Sequence, residues 1–370
     1  MHSPSRFFSI RPPSLFASAS ARLVTAGRGT RPSVSHRLLS QPVRSDMSNH
    51  PKPRFSVSPI PPNVLGPERY IQTAAALVIG DEILNGKTHD TNSNYFARWC
   101  FEHGVECKRI EVIADEEEQI IEASRRMVQT YDLVVTTGGI GSTHDDITYG
   151  SLAKAFEQAL VHHSETLARM TQMAKHRHWF STQTPQQRAA TERMALFPNR
   201  AEVLFVAEDI WVPVVRLEGK LCIFPGIPSL FQKMLTALTP LLPLPPISER
   251  PRRIQVFTER PESMIAPYLT KLQARVKPHG VQVGSYPVLG QGVFVSLIGR
   301  ERPITTTAVS NADHGSLEDI AKEVGIAIEG YVVTEEEVLK RKGQCETLQS
   351  PGEVAASLAG GTSTNAKAKI

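Results

Sequence analysis

The chain is poor in the residues that define several common classes of protein. No apolar run approaches the ~20 residues that a membrane-spanning helix needs, so we expect a soluble protein without a membrane partner. Aromatic residues make up only 6% of the chain and do not interleave with basic ones as in nucleic-acid-binding surfaces, so we expect no nucleic-acid partner. Its four cysteines lack CxxC or Cys/His ligand spacing, which argues against disulfides or a zinc site; they are Cys100, Cys107, Cys222 and Cys345.

Acidic residues and lysine are absent from residues 1–45, which contain seven arginines. This leaves 34 of the 41 basic residues against all 37 acidic ones, so the basic character of the chain belongs to its leader. An Arg- and Ser-rich leader without acids is typical of a mitochondrial transit peptide. We assign residues 1–46 to such a peptide and 47–70 to a proline-rich linker. The alternative is a cytoplasmic form that starts at Met47.

Three apolar runs alternate with helical patterns between residues 73 and 148. Thr73–Ile79, Val105–Val112 and Leu133–Thr137 fit strands, and the segments between them fit amphipathic helices. Strand–helix–strand repeats of this length predict an α/β domain over residues 71–242: a doubly wound, mostly parallel sheet with helices on both faces. After a linker at 243–252, residues 253–335 predict a small α+β domain. Residues 336–370 have no core pattern and are predicted to be disordered.

A glycine cluster follows the third strand. Leu133–Thr137 leads into Gly138-Gly139-Ile140-Gly141-Ser142-Thr143-His144-Asp145-Asp146, and a helical pattern comes next. Glycines at a strand-to-helix junction let backbone N–H groups approach phosphate oxygens. The stretch lacks the Lys-Ser/Thr of a Walker loop and the G-x-G-x-x-G spacing. It therefore predicts a phosphate-binding loop of another kind.

Carboxylates accompany this loop. Asp145 and Asp146 adjoin the glycines, and Asp115 ends the neighbouring strand, so the three side chains are expected at one edge of the sheet. Carboxylates beside phosphate suit a divalent cation. The alternative is that one aspartate caps the following helix. Two further polar loops, Gly80–Asn94 and Pro225–Ser229, are expected to approach the same crevice.

The stretch from Thr136 to Thr148 resembles the T-[TA]-G-G-x-G-x-[TA]-x-x-D-x-T signature of the MoaB/Mog-like molybdopterin-binding domain. The paired aspartates, together with Gly80-Asp81-Glu82-Ile83-Leu84-Asn85-Gly86 and Asp90-Thr91-Asn92-Ser93, resemble the branch of bacterial CinA and the N-terminal domain of animal FAD synthases. Phe224-Pro225-Gly226-Ile227-Pro228 resembles that branch's [LF]-P-G-x-P motif. One departure is Ser142, which replaces the usual proline.

The resemblance implies a crevice for a phosphorylated heterocycle: FAD, ADP-ribose or molybdopterin. In that branch the domain is associated with metal-dependent cleavage of nucleotide diphosphates, and acidic residues matching Asp115 and Asp146 are important in its molybdenum-cofactor relatives. The chain lacks the further catalytic domains of long CinA proteins and FAD synthase, so we expect a stand-alone form. The family also makes a homo-oligomer plausible.

Three functions follow from these features. The first is a metal-dependent diphosphatase that cleaves FAD to FMN and AMP, with Asp115, Asp145 and Asp146 as catalytic residues and Mg, Mn or Co held by Asp145 and Asp146. The second is molybdopterin binding in cofactor biosynthesis, and the third is non-catalytic nucleotide binding or scaffolding. No tightly bound organic cofactor is expected. The predicted ligand-binding residues are Gly138, Gly139, Gly141, Ser142, Thr143, Thr148, Gly80, Asp81, Glu82, Asn85, Asp90, Asn92, Pro225 and Gly226.

Overall fold

The computed structural model describes residues 53–175, 177–300 and 315–348. The predicted transit peptide and residues 349–370 of the predicted tail lie outside the described residues. Within the described ranges, no helix combines the length and apolar character that crossing a bilayer requires.

The first domain contains eight described strands and eight described α-helices. Its strands are β1 (Thr73–Ile79), β2 (Glu106–Ile113), β3 (Leu133–Thr137), β4 (Leu160–His162), β5 (Leu196–Pro198), β6 (Glu202–Leu204), β7 (Val214–Leu217) and β8 (Leu221–Phe224). Its helices are α1 (Asp81–Leu84), α2 (Asn92–Glu102), α3 (Glu117–Thr130), α4 (Thr148–Ala155), α5 (Ser164–Ala174), α6 (His178–Ser181), α7 (Pro185–Glu192) and α8 (Pro228–Leu238).

Six of these strands form one sheet in the order β2-β1-β3-β8-β7-β6. The pairs β1–β2, β1–β3 and β3–β8 are parallel, whereas β7 and β6 join antiparallel at one side. Strands β4 and β5 form a separate two-stranded sheet. The prediction of a mostly parallel sheet is confirmed.

Helices cover both faces of the six-stranded sheet because its central strands are apolar on both sides. On one face, Ala74 and Ala76 of β1 pack with Phe96 of α2 and Phe231 of α8. On the other face, Leu77 belongs to the cluster formed with α3 and α4. The doubly wound arrangement is therefore confirmed, and it sends the carboxyl ends of the parallel strands to one edge.

The second domain is an antiparallel sheet with helices. It contains β9 (Pro251–Thr258), α9 (Glu262–Val276), β10 (Gln282–Val288), β11 (Gly292–Arg300), α10 (Leu317–Ala327), β12 (Tyr331–Val333) and α11 (Glu335–Leu348). The strand order is β10-β11-β9-β12, and all three pairings are antiparallel. Helices α9 and α10 pack on one face through Ile265, Leu272 and Val324. The small α+β domain is observed as predicted, with its first strand beginning inside the expected linker.

Part of the predicted disordered tail is ordered. Helix α11 occupies Glu335–Leu348, where disorder was predicted from residue 336. Val338 is buried in a cluster with Phe257 and Phe294, and the Arg341 guanidinium lies 4.1 Å from the centre of the Phe257 ring. The prediction failed because a single buried valine in a charged segment gives no periodic signal.

The described part of the predicted 47–70 linker packs against the first domain. The Phe55 N–H donates to Glu208 O and the Ser58 N–H donates to Phe205 O, both at 2.8 Å. Phe55 is buried, and the Arg169 guanidinium lies 5.1 Å from its ring centre. The segment is extended, as its prolines predict, but it packs on the surface of the first domain and is not a free linker.

Candidate functional site

The carboxyl ends of four parallel strands meet at one edge of the large sheet. Strand β1 ends before Gly80, β3 before Gly138 and β8 before Pro225. Backbone hydrogen bonds join the loops: the Gly80 N–H donates to Ile113 O of β2 at 3.1 Å, and the Gly138 N–H donates to Phe224 O of β8 at 3.2 Å. Open α/β sheets bind ligands outside such strand ends. The structure thus brings together the loops predicted from the sequence.

Two glycines of the loop are required by the backbone. Gly138 has φ +109°, and a Cβ there would lie 2.0 Å from the carbonyl oxygen of Ile79. Gly139 has φ +64°, and its Cβ would lie 2.4 Å from Thr148 Oγ1. Both values are in the region that side chains rarely adopt. These contacts leave no space for any side chain at either position.

Asp146 holds the glycine loop in shape. Its Oδ1 accepts a hydrogen bond from the Gly141 N–H at 2.6 Å, and its Oδ2 accepts from the Thr143 N–H at 2.8 Å and from the Thr143 hydroxyl at 2.6 Å. Three hydrogen bonds to one carboxylate strongly stabilise the conformation of the loop. In the observed conformation Asp146 supports the loop, and its predicted catalytic and cation-binding roles stay predictions.

Three other backbone amides of the loop are left for a ligand. The N–H groups of Gly138, Gly141 and Thr143 already have protein acceptors. Those of Gly139, Ile140 and Ser142 have no acceptor in the described part of the chain, and neither does the Ser142 hydroxyl. Free amides on successive turns of a glycine loop form a concave donor set that suits phosphate oxygens.

Thr148 supports this loop from below. The Thr148 side chain is buried, its hydroxyl donates to Gly138 O at 3.0 Å, and its N–H donates to Gly139 O at 3.0 Å. Thr148 was predicted to bind the ligand. Its observed contacts make it a support for Gly138 and Gly139, of which Gly139 has a free amide for a ligand.

Asn92 ties the loop after β8 to β3. This residue at the start of α2 is 7% exposed, and its Nδ2 donates to Thr137 Oγ1 at 3.0 Å and to Gly226 O at 2.9 Å. Its Oδ1 is buried and has no protein donor among the described residues. Gly226 is close to the glycine loop, since a Cβ there would lie 3.4 Å from Gly138 Cα. Asn92 therefore fixes two of the three loops in register.

Asp115 is a carboxylate that lies beside Gly139 of the loop. Its Oδ2 accepts from the Asp81 N–H at 2.9 Å, and its Oδ1 would lie 3.4 Å from a Cβ built on Gly139. Partial burial raises the pKa of Asp115 above its ordinary value, and the negative charges of Asp81, Glu82 and Asp145 raise it further. A carboxyl group with a raised pKa beside a donor-rich loop is suited to accept a proton.

The other predicted residues lie around this centre. Asp145, Asp81, Glu82 and Asn85 are exposed at the rim, and Pro225 is buried with its carbonyl accepting from the Thr137 hydroxyl. Asp90 has a local role, since its Oδ1 accepts from the Ser93 N–H at 3.0 Å in the first turn of α2.

Arg193 is a site residue that the sequence did not reveal. It begins the 3₁₀ turn Arg193–Ala195 after α7, and its Nη2 donates to Thr143 O at 3.1 Å and to Asp146 O at 3.2 Å. Its guanidinium binds carbonyl oxygens of the glycine loop itself. No motif surrounds it, so only the approach of α7 to the loop identifies it.

The oxygen ligands at this crevice fit a divalent cation in kind. No group of three or more His, Cys, Asp or Glu side chains in the described ranges is placed to hold a metal ion. Magnesium, however, is commonly bound by one or two carboxylates together with substrate phosphates. Asp145 is exposed and close enough to affect the pKa of Asp115. Asp145 and a bound diphosphate would supply such a set.

Comparison with known proteins assigns the chain to a family. The family model described as "Probable molybdopterin binding domain" matches residues 75–244. The chain is 30% identical over 231 residues to "Protein PH0439" of Pyrococcus horikoshii, covering 61% of this chain and 88% of that protein. The chain belongs to the MoaB/Mog-like molybdopterin-binding domain family, as the motifs predicted.

Two further matches bear names from the CinA and FAD-synthase branch. It is 34% identical over 243 residues to "Probable FAD synthase" of Caenorhabditis elegans, covering 60% of this chain and 45% of that protein. The chain thus spans less than half the length of that relative. A crystal structure of CinA from Thermoplasma acidophilum, described as having unknown function, is 28% identical with a TM-score of 0.40, covering 46% of this chain and 97% of that one.

Proposed function

We propose that this site hydrolyses the diphosphate bond of FAD, or of a related ADP-containing molecule, to two monophosphates. The observation that carries the proposal is that Asp115 Oδ1 lies beside Gly139, 3.4 Å from a Cβ built there, in the loop whose Gly139, Ile140 and Ser142 amides are free. A phosphate-binding loop alone accounts for binding. A carboxylate with a raised pKa next to it adds a group that can take a proton from water.

The residues divide the work as follows. The amides of Gly139, Ile140 and Ser142 bind the diphosphate oxygens, where negative charge grows as water attacks phosphorus. Asp115 Oδ1 accepts the proton of that water, and the P–O bond of the anhydride breaks to release the second monophosphate. Arg193 and Asp146 keep the loop in position. When bound, a divalent cation held by Asp145 and the diphosphate would neutralise charge and polarise the phosphoryl group.

The relatives support flavin chemistry in general terms. One of them is named "Probable FAD synthase". FAD hydrolysis, the cation and the identity of the substrate are our proposals for this chain.

Molybdopterin binding is the second candidate, and the description of the matching family model favours it. The unpartnered Asn92 Oδ1 suits either ligand, because a pterin and a flavin both carry a ring N–H that can donate to a buried acceptor. Pterin fluorescence in the purified protein, with no FAD turnover, would favour this candidate.

The test is chromatography of FAD incubated with the purified full chain and Mg, Mn or Co. We expect equimolar FMN and AMP, and loss of turnover in Asp115→Asn. The matched control is Asp209→Asn, which removes an exposed carboxylate paired with Lys233 outside the crevice and should leave turnover unchanged. FAD that binds but is not cleaved with any of the three metals would reject hydrolysis and leave a binding function.

A further inference from the structure

A second cavity lies at the opposite edge of the large sheet. Its volume is about 890 Å³, within the size range of small-molecule sites. One wall comes from the first domain, at the end of α2 and the start of β2, and includes Phe101, Glu106 and Cys107. The other wall comes from the second domain and includes Arg253 and Arg300. Because β2 begins here and ends near Asp115, this cavity is separate from the glycine loop.

Two arginines on one face of the second sheet line the cavity. In the β9–β11 ladder, Arg253 is opposite Ile298 and Arg300 is opposite Pro251, so the two side chains leave the sheet on the same face as diagonal neighbours. Neither has a carboxylate partner among the described residues. Two unpaired guanidinium groups in one cavity favour an anionic ligand, and phosphate in particular.

The acidic side chains of the lining do not cancel this charge. Glu106 is paired with Lys108 at 2.6 Å, which leaves Glu249 as the other carboxylate of the lining. The lining itself holds two arginines and two glutamates, and Lys108 beside it brings the total to one net positive charge.

An aromatic surface adjoins the arginines. The Arg253 guanidinium lies over the Phe101 ring, 4.2 Å from its centre. Nucleobases stack on aromatic rings and on guanidinium planes alike. A planar ring joined to a phosphate matches both halves of the lining.

We propose that this cavity binds a mononucleotide, with its phosphate on Arg300 and the edge of Arg253 and its base beside Phe101. This inference does not depend on the proposed hydrolysis.

Cys107 provides a local readout of occupancy. Its thiol lines the cavity and is partly exposed, whereas Cys100 and Cys222 are buried. A hydrogen bond from Cys100 lowers the pKa of Cys107, although partial burial opposes the shift, so Cys107 is suited to alkylation. The probe is AMP, tested on the full chain carrying Cys345→Ser. Alkylation of Cys107 by N-ethylmaleimide is followed by peptide mass spectrometry.

AMP should slow the alkylation of Cys107 in a saturable way. Arg300→Ala should raise the half-protecting AMP concentration about 10- to 100-fold, the range expected for loss of a charged hydrogen-bonding group. Arg300→Lys keeps the charge but loses the planar guanidinium, so its half-protecting AMP concentration should lie between those of the parent and Arg300→Ala. The matched control is Arg252→Ala. Arg252 lies on the other face of β9 and pairs with Glu318 at 2.8 Å, so AMP should protect Cys107 in this variant as it does in the parent.

Three results would overturn the proposal. They are the absence of protection by AMP, equal protection in Arg300→Ala and the parent, and protection by inorganic phosphate at the same concentration as AMP. Equal protection by inorganic phosphate would show that the base does not contribute to binding. Adenosine, which has the base without the phosphate, should protect more weakly than AMP.

Discussion

Replacing Asp146 by alanine should loosen the glycine loop without unfolding the domain. The change removes the acceptor of three hydrogen bonds, from the Gly141 N–H and from the N–H and hydroxyl of Thr143. A hydrogen bond to a charged group contributes about 1.5–3 kcal/mol. Because Thr143 is exposed and water can replace the carboxylate, we use about 1 kcal/mol for each. The expected cost to the ordered loop is therefore about 2–3 kcal/mol.

A diphosphate ligand would have to restore that order when it binds. Since 1.4 kcal/mol corresponds to a tenfold change, affinity for FAD should fall about 30- to 150-fold. Asp146→Asn should fall between the parent and the alanine variant, because its amide oxygen still accepts at one of the two positions while its NH₂ group faces an N–H donor at the other. Asp145→Ala is the matched control. Its side chain is exposed, so the loop should keep its order while turnover falls.

Hydrogen exchange of residues 138–147 measures the loop directly, and calorimetry with FAD measures the affinity. Faster exchange in Asp146→Ala but not in Asp145→Ala would separate loop support from chemistry. Parent-like exchange in Asp146→Ala would refute the assigned role. So would a large loss of turnover at unchanged FAD affinity, because that pattern would make Asp146 a catalytic group.

Two further variants test the centre of the site. Burial and neighbouring charges raise the folded-state pKa of Asp115 above 3.8. The ionised carboxylate therefore destabilises the folded state when the pH is above that raised pKa, and the carboxyl group has no such effect when the pH is below about 3.8. Asp115→Asn should therefore have a larger free energy of unfolding than the parent at pH 7 and no such gain at pH 3. A pH-independent change in urea titrations would contradict this. Gly139→Ala should abolish FAD binding because its Cβ would lie 2.4 Å from Thr148 Oγ1. Gly150→Ala is the control: there is open space around Gly150 in α4, so this variant should bind FAD normally and increase the free energy of unfolding by about 0.5–1 kcal/mol. Calorimetry and thermal unfolding check both, and normal binding by Gly139→Ala would contradict the close packing of the loop.

The core of the site was predictable because backbone geometry leaves a trace in sequence. A left-handed conformation at Gly138 and Gly139 requires glycine, so the loop is visible as a glycine cluster after an apolar strand. Asp115 meets the loop because β2 and β3 both pair in parallel with β1, so that all three strands end at the same edge. The expectation that the Asp115 strand is the direct neighbour of the loop strand was wrong, since β1 lies between them. These inferences needed only local pattern and sheet topology.

The roles of individual polar residues were not predictable in the same way. Asp145 and Asp146 are adjacent and chemically identical, and only the turn of the loop decides which one accepts its amides. Arg193 is 47 residues from Asp146 in sequence and reaches it through a tertiary contact. Phe55 and Val338 are single apolar anchors in polar segments. Each of these depends on which surface the chain meets, and sequence periodicity does not carry that information.

The length of strand β2 separates the two proposed sites, so the two proposals can be tested independently. It starts with Glu106 and Cys107 at the cavity and ends at Ile113, next to Asp115. Eight residues at about 3.3 Å each span about 26 Å, so a mononucleotide in the cavity cannot touch the glycine loop. AMP released from FAD could then bind a site other than the one that produced it. Protection of Cys107 by AMP would persist in Asp115→Asn if the cavity is the binding site, because that variant alters only the far end of the strand.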